Sequence, residues 1–273
     1  PPQPNRWANP LLRSLVVDEA RASKTMVDIL QGYGSVPDPR LTLILSKSQA
    51  WVQGKDGSEE WKGVPNGLPV TELSLPEYDN NHNSCIWGYM WGYDWNSAEK
   101  GDNISKPQTD ADFTPLGLMN YSEVCFLKAE AALRGWQGAG DAKTNYENGI
   151  HASFEEMRAN APKDSYSKSN DDKYISEGNV AWNNADSFEA KLEKIITQKW
   201  IGIYPNSEEA WAEFRRTGYP KLNPVKQSLE PTINSKNGEF IKKLRYVDNE
   251  LSNNKEYATD PTLNGGQDRK SVV

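Results

Sequence analysis

Histidine and cysteine are scarce in this chain, two of each among 273 residues, and their scarcity removes several kinds of chemistry. His82 and His151 lie far apart in sequence, no Cys or His cluster has ligand spacing, and an HExxH motif is absent, so the usual zinc sites are excluded and no metal is expected. Two cysteines, Cys85 and Cys125, are too few for a disulfide framework, and their spacing says nothing about the distance between them. There is no G-x-S-x-G nucleophile turn, no phosphate-cradling G-x-x-x-x-G-K-[ST], and no G-x-G-x-x-G opening a helix; Gly32-Tyr33-Gly34 reads as a turn. No cofactor is expected.

Long apolar runs are missing too. Nothing approaches the roughly 18 consecutive apolar residues of a spanning helix, and the opening Pro1-Pro2-Gln3-Pro4 is not a signal peptide. Positive charge is in deficit: 31 Lys and Arg against 38 Asp and Glu give a formal charge of −7 and a pI near 5.1. Without a basic stripe such a chain repels phosphate backbones, which excludes nucleic acid as a partner. Hydrophobic residues make up 36% and the mean hydropathy is −0.79, so the core is lean and long polar loops are implied. The length favours one large domain over 1–273.

Aromatic rings are what the chain has: 10 Trp, 12 Tyr and 6 Phe. Its most strongly patterned stretch runs from Asn120 to Trp136 and reads as a helix. Asn120 caps it, Glu123 reaches back in a capping box, and Gly135 stops it. Tyr121, Val124, Leu127 and Ala131, with neighbouring Cys125, predict its buried face. After a loop to Gly140, Asp141 caps a second helix with Ala142, Tyr146, Gly149, Ile150, Ser153 and Met157 inward. The two form an antiparallel hairpin resembling a tetratricopeptide pair, without the Trp-x2-Leu-Gly-x2-Tyr order in its first helix.

Those residues, continued by Ser23-x-x-Met26-Val27-Asp28-x-Leu30, Asp38-Pro39-Arg40-Leu41, Gly63-Val64-Pro65-x-Gly67, Gln198-Lys199-Trp200, Glu209-Ala210-Trp211, Arg215-Arg216-Thr217-Gly218-Tyr219-Pro220 and Leu244-Arg245-Tyr246, closely resemble the SusD/RagB family. Each motif is weak alone; their shared order along most of the chain is strong. The resemblance implies a mainly α fold, a SusD-like helical scaffold with tetratricopeptide-like helix pairs and long irregular loops. It further implies a surface-exposed lipoprotein of the outer membrane that delivers oligosaccharide to a SusC-like TonB-dependent transporter. The family's lipoprotein signal, acylated Cys and first helix pairs have no counterpart here. The expectation is therefore a C-terminal part of a longer precursor, touching membrane only through a lipid anchor absent from this chain. A face of the 120–134 helix is then expected to be uncovered.

Elsewhere the pattern predicts a helix from Leu11 to Leu30, with Leu12, Leu15, Val16, Met26, Val27 and Leu30 in the core and a break near Ser23. Residues 41–113 read as an irregular, aromatic-rich insertion, and 159–184 as a polar, mobile segment. Asp186 and Glu189 predict the start of a helix burying Phe188, Leu192, Ile195, Ile196, Lys199 or Trp200, and Ile203, ended by Pro205. A short helix from Ser207 to Arg216 turns Ala210, Trp211 and Phe214 inward, with Arg215 and Arg216 complementing its dipole.

Within the insertion, Trp87, Tyr89, Trp91, Tyr93 and Trp95 occupy every second position, so an extended segment projects all five rings from one face. Two readings stand. The rings pack against the helices and supplement a thin core, or they form a platform for the C-H faces of pyranose rings, with Asp94, Asn81, Asn83, Asn96 and the loop residue His82 reaching hydroxyls. Trp51 and Trp61 are secondary candidates; Trp200 and Trp211 read as core. Glu59-Glu60 and Asp171-Asp172 read as solvated surface, which disfavours hydrolysis. A peptide-binding RagB-like receptor and a helical interaction module without a small-molecule ligand are the alternatives to glycan capture.

Overall fold

A computed structural model of the chain describes residues 21–86, 88, 100, 117–159, 161, 166–227, 239–242, 246–256 and 260. Among them the helices are α1 (Lys24–Leu30), α2 (Leu41–Ile44), α3 (Gln49–Val52), α4 (Val70–Leu73), α5 (Tyr121–Leu133), α6 (Ala142–Arg158), α7 (Asp171–Glu177), α8 (Phe188–Gly202), α9 (Ser207–Thr217) and α10 (Asp248–Asn253). Extended pairing among the described residues is limited to two isolated bridges, Arg21 to Cys85 and Ser23 to Val64.

The helical hairpin forms as its sequence predicts, but α5 is rotated. Ser122, Cys125, Phe126, Ala129 and Glu130 are buried, whereas Tyr121 is 66% and Leu127 38% exposed. Both faces of α5 carry apolar residues, so periodicity had two answers. Packing against glycines decides: a Cβ at Gly149 of α6 would lie 2.7 Å from the Phe126 ring, and one at Gly202 of α8 3.2 Å from it. Phe126 enters the groove that those two glycines open, and the face bearing Tyr121 and Leu127 stays outside. Leu118 and Met119, just before the helix, and Trp136, just after it, are also exposed.

The α5 cap differs as well. Asn120 makes no side-chain cap hydrogen bond; instead Glu156 near the end of α6 accepts from the Ser122 amide at 3.0 Å and from its hydroxyl at 2.5 Å. A carboxylate at a helix N-terminus satisfies an orphan donor and complements the dipole, and the start of α5 meeting the end of α6 makes the pair antiparallel. Glu123 turns toward Lys199, 3.7 Å away. Asp141 caps α6 through the Thr144 amide at 2.8 Å, and Gly135, at φ +76°, takes the left-handed stop after α5. In α8 the cap is Ser187, accepting from Ala190 at 3.2 Å; Asp186 pairs with Lys194 at 2.6 Å. Phe188, expected inside, is 40% exposed because it lies in the first turn, ahead of the buried stripe.

The predicted helix over 11–30 is α1 for its last seven residues, broken where foreseen: the Ser23 side chain accepts from the Met26 amide and starts it. Leu12, Leu15 and Val16 lie outside the described residues. The stretch after α1 does more than irregular loops would. Leu41, Leu43, Ile44, Leu45, Ala50 and Val52 are all buried, and several join Met26, Val27, Leu30, Met157 and Ile201 in one cluster. A second cluster gathers Phe126, Tyr146, Ile150, Phe154, Tyr174, Ile195 and Ile196 from α5 to α8. Each buried Leu, Ile or Phe contributes about 1.5–3 kcal/mol, so a chain lean in apolar residues concentrates them here. Residues 171–177, within the segment read as polar and mobile, form α7 because Tyr174 and Ile175 fill that second cluster.

An ion pair locks the clusters together. The Arg40 guanidinium meets Asp38 at 2.6 and 2.9 Å and also donates to Ser153 of α6 at 3.0 Å and Gln198 of α8 at 2.5 Å. Tyr174 donates to Asp38 at 2.7 Å and accepts from Gln198 at 2.9 Å. Neither charged side chain has any exposed area, so the Arg40–Asp38 pair itself is a structural clamp. Burial pushes the Tyr174 phenol well above its ordinary value, keeping it a neutral donor.

Candidate functional site

The sequence-predicted site divides at residue 86. Trp87, Tyr89, Trp91, Tyr93, Asp94 and Trp95 lie outside the described residues. Asn81 and His82 lie inside, on the turn that leads into the aromatic run.

That turn is built on Asp79. One of its carboxylate oxygens accepts from the amides of Asn81 at 2.9 Å and His82 at 2.8 Å, and lies 2.7 Å from His82 Nδ1. Such Asx geometry is why Asp and Asn dominate this loop. Burial alone would raise the Asp79 carboxyl, but the hydrogen bonds from His82 outweigh it and hold the group below the usual range. Asn81 is exposed and His82 half-buried. The buried Asn83 donates to the Glu77 and Asp79 carbonyls at 3.0 and 2.8 Å, while its side-chain oxygen has no hydrogen-bond partner among the described residues.

Beyond the turn the backbone is fastened from several sides. Ser84 O accepts from Ala22 at 2.7 Å, Ser84 N donates to Lys62 at 2.8 Å, and Cys85 O accepts from Ser46 at 3.0 Å. The Tyr204 hydroxyl, just past α8, donates to Ile86 O at 2.7 Å. At Gly88 the chain presses so closely on α2 that a Cβ would sit 2.3 Å from Leu43 O. The entry to the aromatic run is therefore a ledge held by residues from four separate parts of the scaffold, the arrangement that lets a loop present binding groups at low entropic cost.

The secondary candidates are placed. Trp61 packs against the first cluster, and the half-buried Trp51 lies under Lys47 Nζ, 4.9 Å from the ring centroid. Trp200 packs on the core as expected. Trp211 does not: it is 37% exposed, stacked with Arg215 at 4.5 Å, because the buried positions of α9 are Glu213 and Phe214. Arg216 grips Glu130 at 2.6 and 2.7 Å, a specific partner beyond the helix dipole. Cys85 and Cys125 are not joined, and Cys125 is buried. Among the described residues no group of three or more His, Cys, Asp or Glu side chains could hold a metal ion, and no helix is long and apolar enough to cross a membrane.

One feature escaped the sequence reading. Tyr33, between two glycines, adopts φ +49° and is 60% exposed. It borders a cleft of about 250 Å³ between the end of α1, the loop after α7 and the Ala190–Gln198 stretch of α8. An aromatic residue inside a Gly-x-Gly turn was the available signal.

The described residues form a helical frame of packed pairs with a buried ion pair at its centre and a fastened turn at 79–86. The chain belongs to the SusD-like family, the SusD and RagB outer membrane lipoproteins, whose pattern matches residues 4–272. It is similar to a chitin-binding SusD homologue from Flavobacterium johnsoniae, at 31% identity and TM-score 0.60, over 92% of this chain and 48% of that one. A SusD homologue from Bacteroides uniformis aligns at 28% identity and TM-score 0.65 over 97% and 52%. A further chitin-binding protein aligns at 28% identity and TM-score 0.66 over 97% and 52%. The chain thus spans about half the length of these relatives. No curated protein matches it.

Proposed function

We propose that this chain is part of a surface glycan receptor that captures oligosaccharide at the outer membrane and hands it, chemically unchanged, to a SusC-like TonB-dependent transporter. The observation that carries the reading is the ledge at 79–86, tied down by Tyr204, Ser46 and Ala22, which the alternating rings Trp87, Tyr89, Trp91, Tyr93 and Trp95 follow in the sequence. A flat ring covers the apolar face of a pyranose, and each contributes about 1 kcal/mol by analogy with aromatic pairs. Two or three in series give capture weak enough to release cargo. Asn81 and His82 on the turn, with Asp94 further along the sequence, are the groups proposed to meet hydroxyls, and chitin binding by two relatives makes β-linked amino sugars the first glycans to try. Family membership supports a lipid anchor in the whole protein and a location on the outer face of the outer membrane.

Affinity electrophoresis in gels containing soluble glycans, with a random peptide mixture as the alternative cargo, tests this. Retardation by at least one glycan and none by peptide is expected. Retardation by peptide alone replaces the reading with a RagB-like peptide receptor, and retardation by neither leaves a helical interaction module.

A further inference from the structure

The cleft beside Tyr33 is separate from the ledge. Its lining on α8 runs from Ala190 to Gln198, whereas Tyr204 holds the ledge beyond the other end of that helix. At 1.5 Å per residue Tyr204 lies roughly 9 Å along the helix direction from the nearest lining residue, Gln198, and roughly 21 Å from Ala190.

The cleft is a built site. Gln198 at its buried end is fixed by Arg40 at 2.5 Å and by the Tyr174 hydroxyl at 2.9 Å, and Ile29 and Val180 add apolar lining. Glu193 and Lys221, also in its lining, neutralise each other at 2.9 Å, and the third charged lining residue, Lys194, is paired with Asp186 at 2.6 Å, so no unpaired charge calls for an ionic ligand. At about 250 Å³ it is smaller than the ~300–1,000 Å³ of pockets for drug-sized molecules, and suits a single ring.

Tyr33 gives the site its direction. A non-glycine residue at φ +49° costs about 1–2 kcal/mol for an L side chain, although glycines on both sides show that the turn has no need of a side chain there. Asn179 holds the turn by donating to Gly32 O at 2.9 Å. Strain retained at an exposed aromatic is a pointer to binding: the ring is held out over a neutral cleft with an apolar lining and a polar margin.

We infer that this cleft is a second saccharide subsite, taking one neutral pyranose unit with its C-H face against the Tyr33 ring. The class of occupant rests on the glycan-receptor reading above; the existence of a separate site rests on the cleft.

The test uses saturation-transfer NMR with methyl N-acetyl-β-D-glucosaminide and methyl β-D-glucopyranoside, on the full chain carrying Trp87→Ala and Trp91→Ala so that the aromatic run is disabled. At least one of the two methyl glycosides should still receive saturation. Adding Tyr33→Gly, which suits the left-handed backbone and spares the fold, should weaken binding about tenfold, the loss of roughly 1.4 kcal/mol. Adding Tyr33→Phe instead should keep it within about threefold. Absence of signal before the Tyr33 change, or equal signal after Tyr33→Gly, overturns the inference. Calorimetry of the otherwise unaltered chain with the N-acetylglucosamine hexamer and the glucose hexamer separates the two claims: binding there with a negative cleft result sinks the cleft alone, and no binding in either sinks the receptor reading as well.

Discussion

The hydroxyl of Tyr204 donates to the carbonyl of Ile86 across 118 residues of sequence, at 2.7 Å. It fastens the first step of the aromatic run to the end of the longest helix contributing to both core clusters after α6. Tyr204→Phe removes this bond and keeps the ring, so a loss of about 0.5–1.5 kcal/mol is expected. The measurement is urea denaturation; a midpoint unchanged within error would show that the ledge is held by its other contacts alone.

Arg40 is expected to be the costliest position in the scaffold. Arg40→Met leaves the Asp38 carboxylate buried without its cation and should destabilise by about 3–5 kcal/mol. Adding Asp38→Asn should recover part of that loss, since the uncompensated charge is then gone. Denaturant melts of the two single variants and the double variant give the coupling energy; additive losses would mean that the pair is not a unit.

Gly149→Ala should cost about 1–3 kcal/mol because the new methyl lands against Phe126, 2.7 Å from its ring. Phe126→Leu in the same chain should relieve part of the clash. Thermal melts check it, and a neutral Gly149→Ala would place Phe126 outside the glycine groove.

Two carboxylates on α5 should respond to pH in opposite senses. Burial would raise Glu130, but hydrogen bonds from Arg216 and Arg134 overcome it and hold the carboxyl below its ordinary value. Its stabilisation is therefore present above the unfolded value near ~4.3 and is lost as pH falls through the folded one. Glu123 is raised, chiefly by burial, with Lys199 opposing, so its ionisation costs stability at neutral pH and that cost disappears in acid. Glu130→Gln should lower the melting temperature at pH 7 by an amount that shrinks toward pH 3. Glu123→Gln should leave it equal or higher at pH 7. Differences that do not change with pH would contradict the assignment.

How far the sequence could be read follows from where its signals were single-valued. Helix α6 has one apolar face and a capping Asp141, and both its register and its start agree with the pattern. Helix α5 has two, and only the tertiary fit of Phe126 between Gly149 and Gly202 chooses between them. Its cap comes from Glu156, 34 residues away, which no local motif encodes. Short helices such as α2 and α7 lack the turns needed for a period; buried Leu43 and Tyr174 stabilise them from outside. At the site, the Asp79 turn was legible as an Asn-rich loop, whereas Tyr33 was hidden because a Gly-Tyr-Gly triplet reads as a turn whatever its ring is doing.

Isothermal titration with the N-acetylglucosamine hexamer, and with a panel of other hexasaccharides, addresses the central claim most directly when wild type is compared with Trp87→Ala and Trp91→Ala. The account predicts that wild type binds at least one of these sugars and that each variant binds it about fivefold to tenfold more weakly, the share of a single ring at roughly 1 kcal/mol. Equal affinity in all three proteins would contradict it.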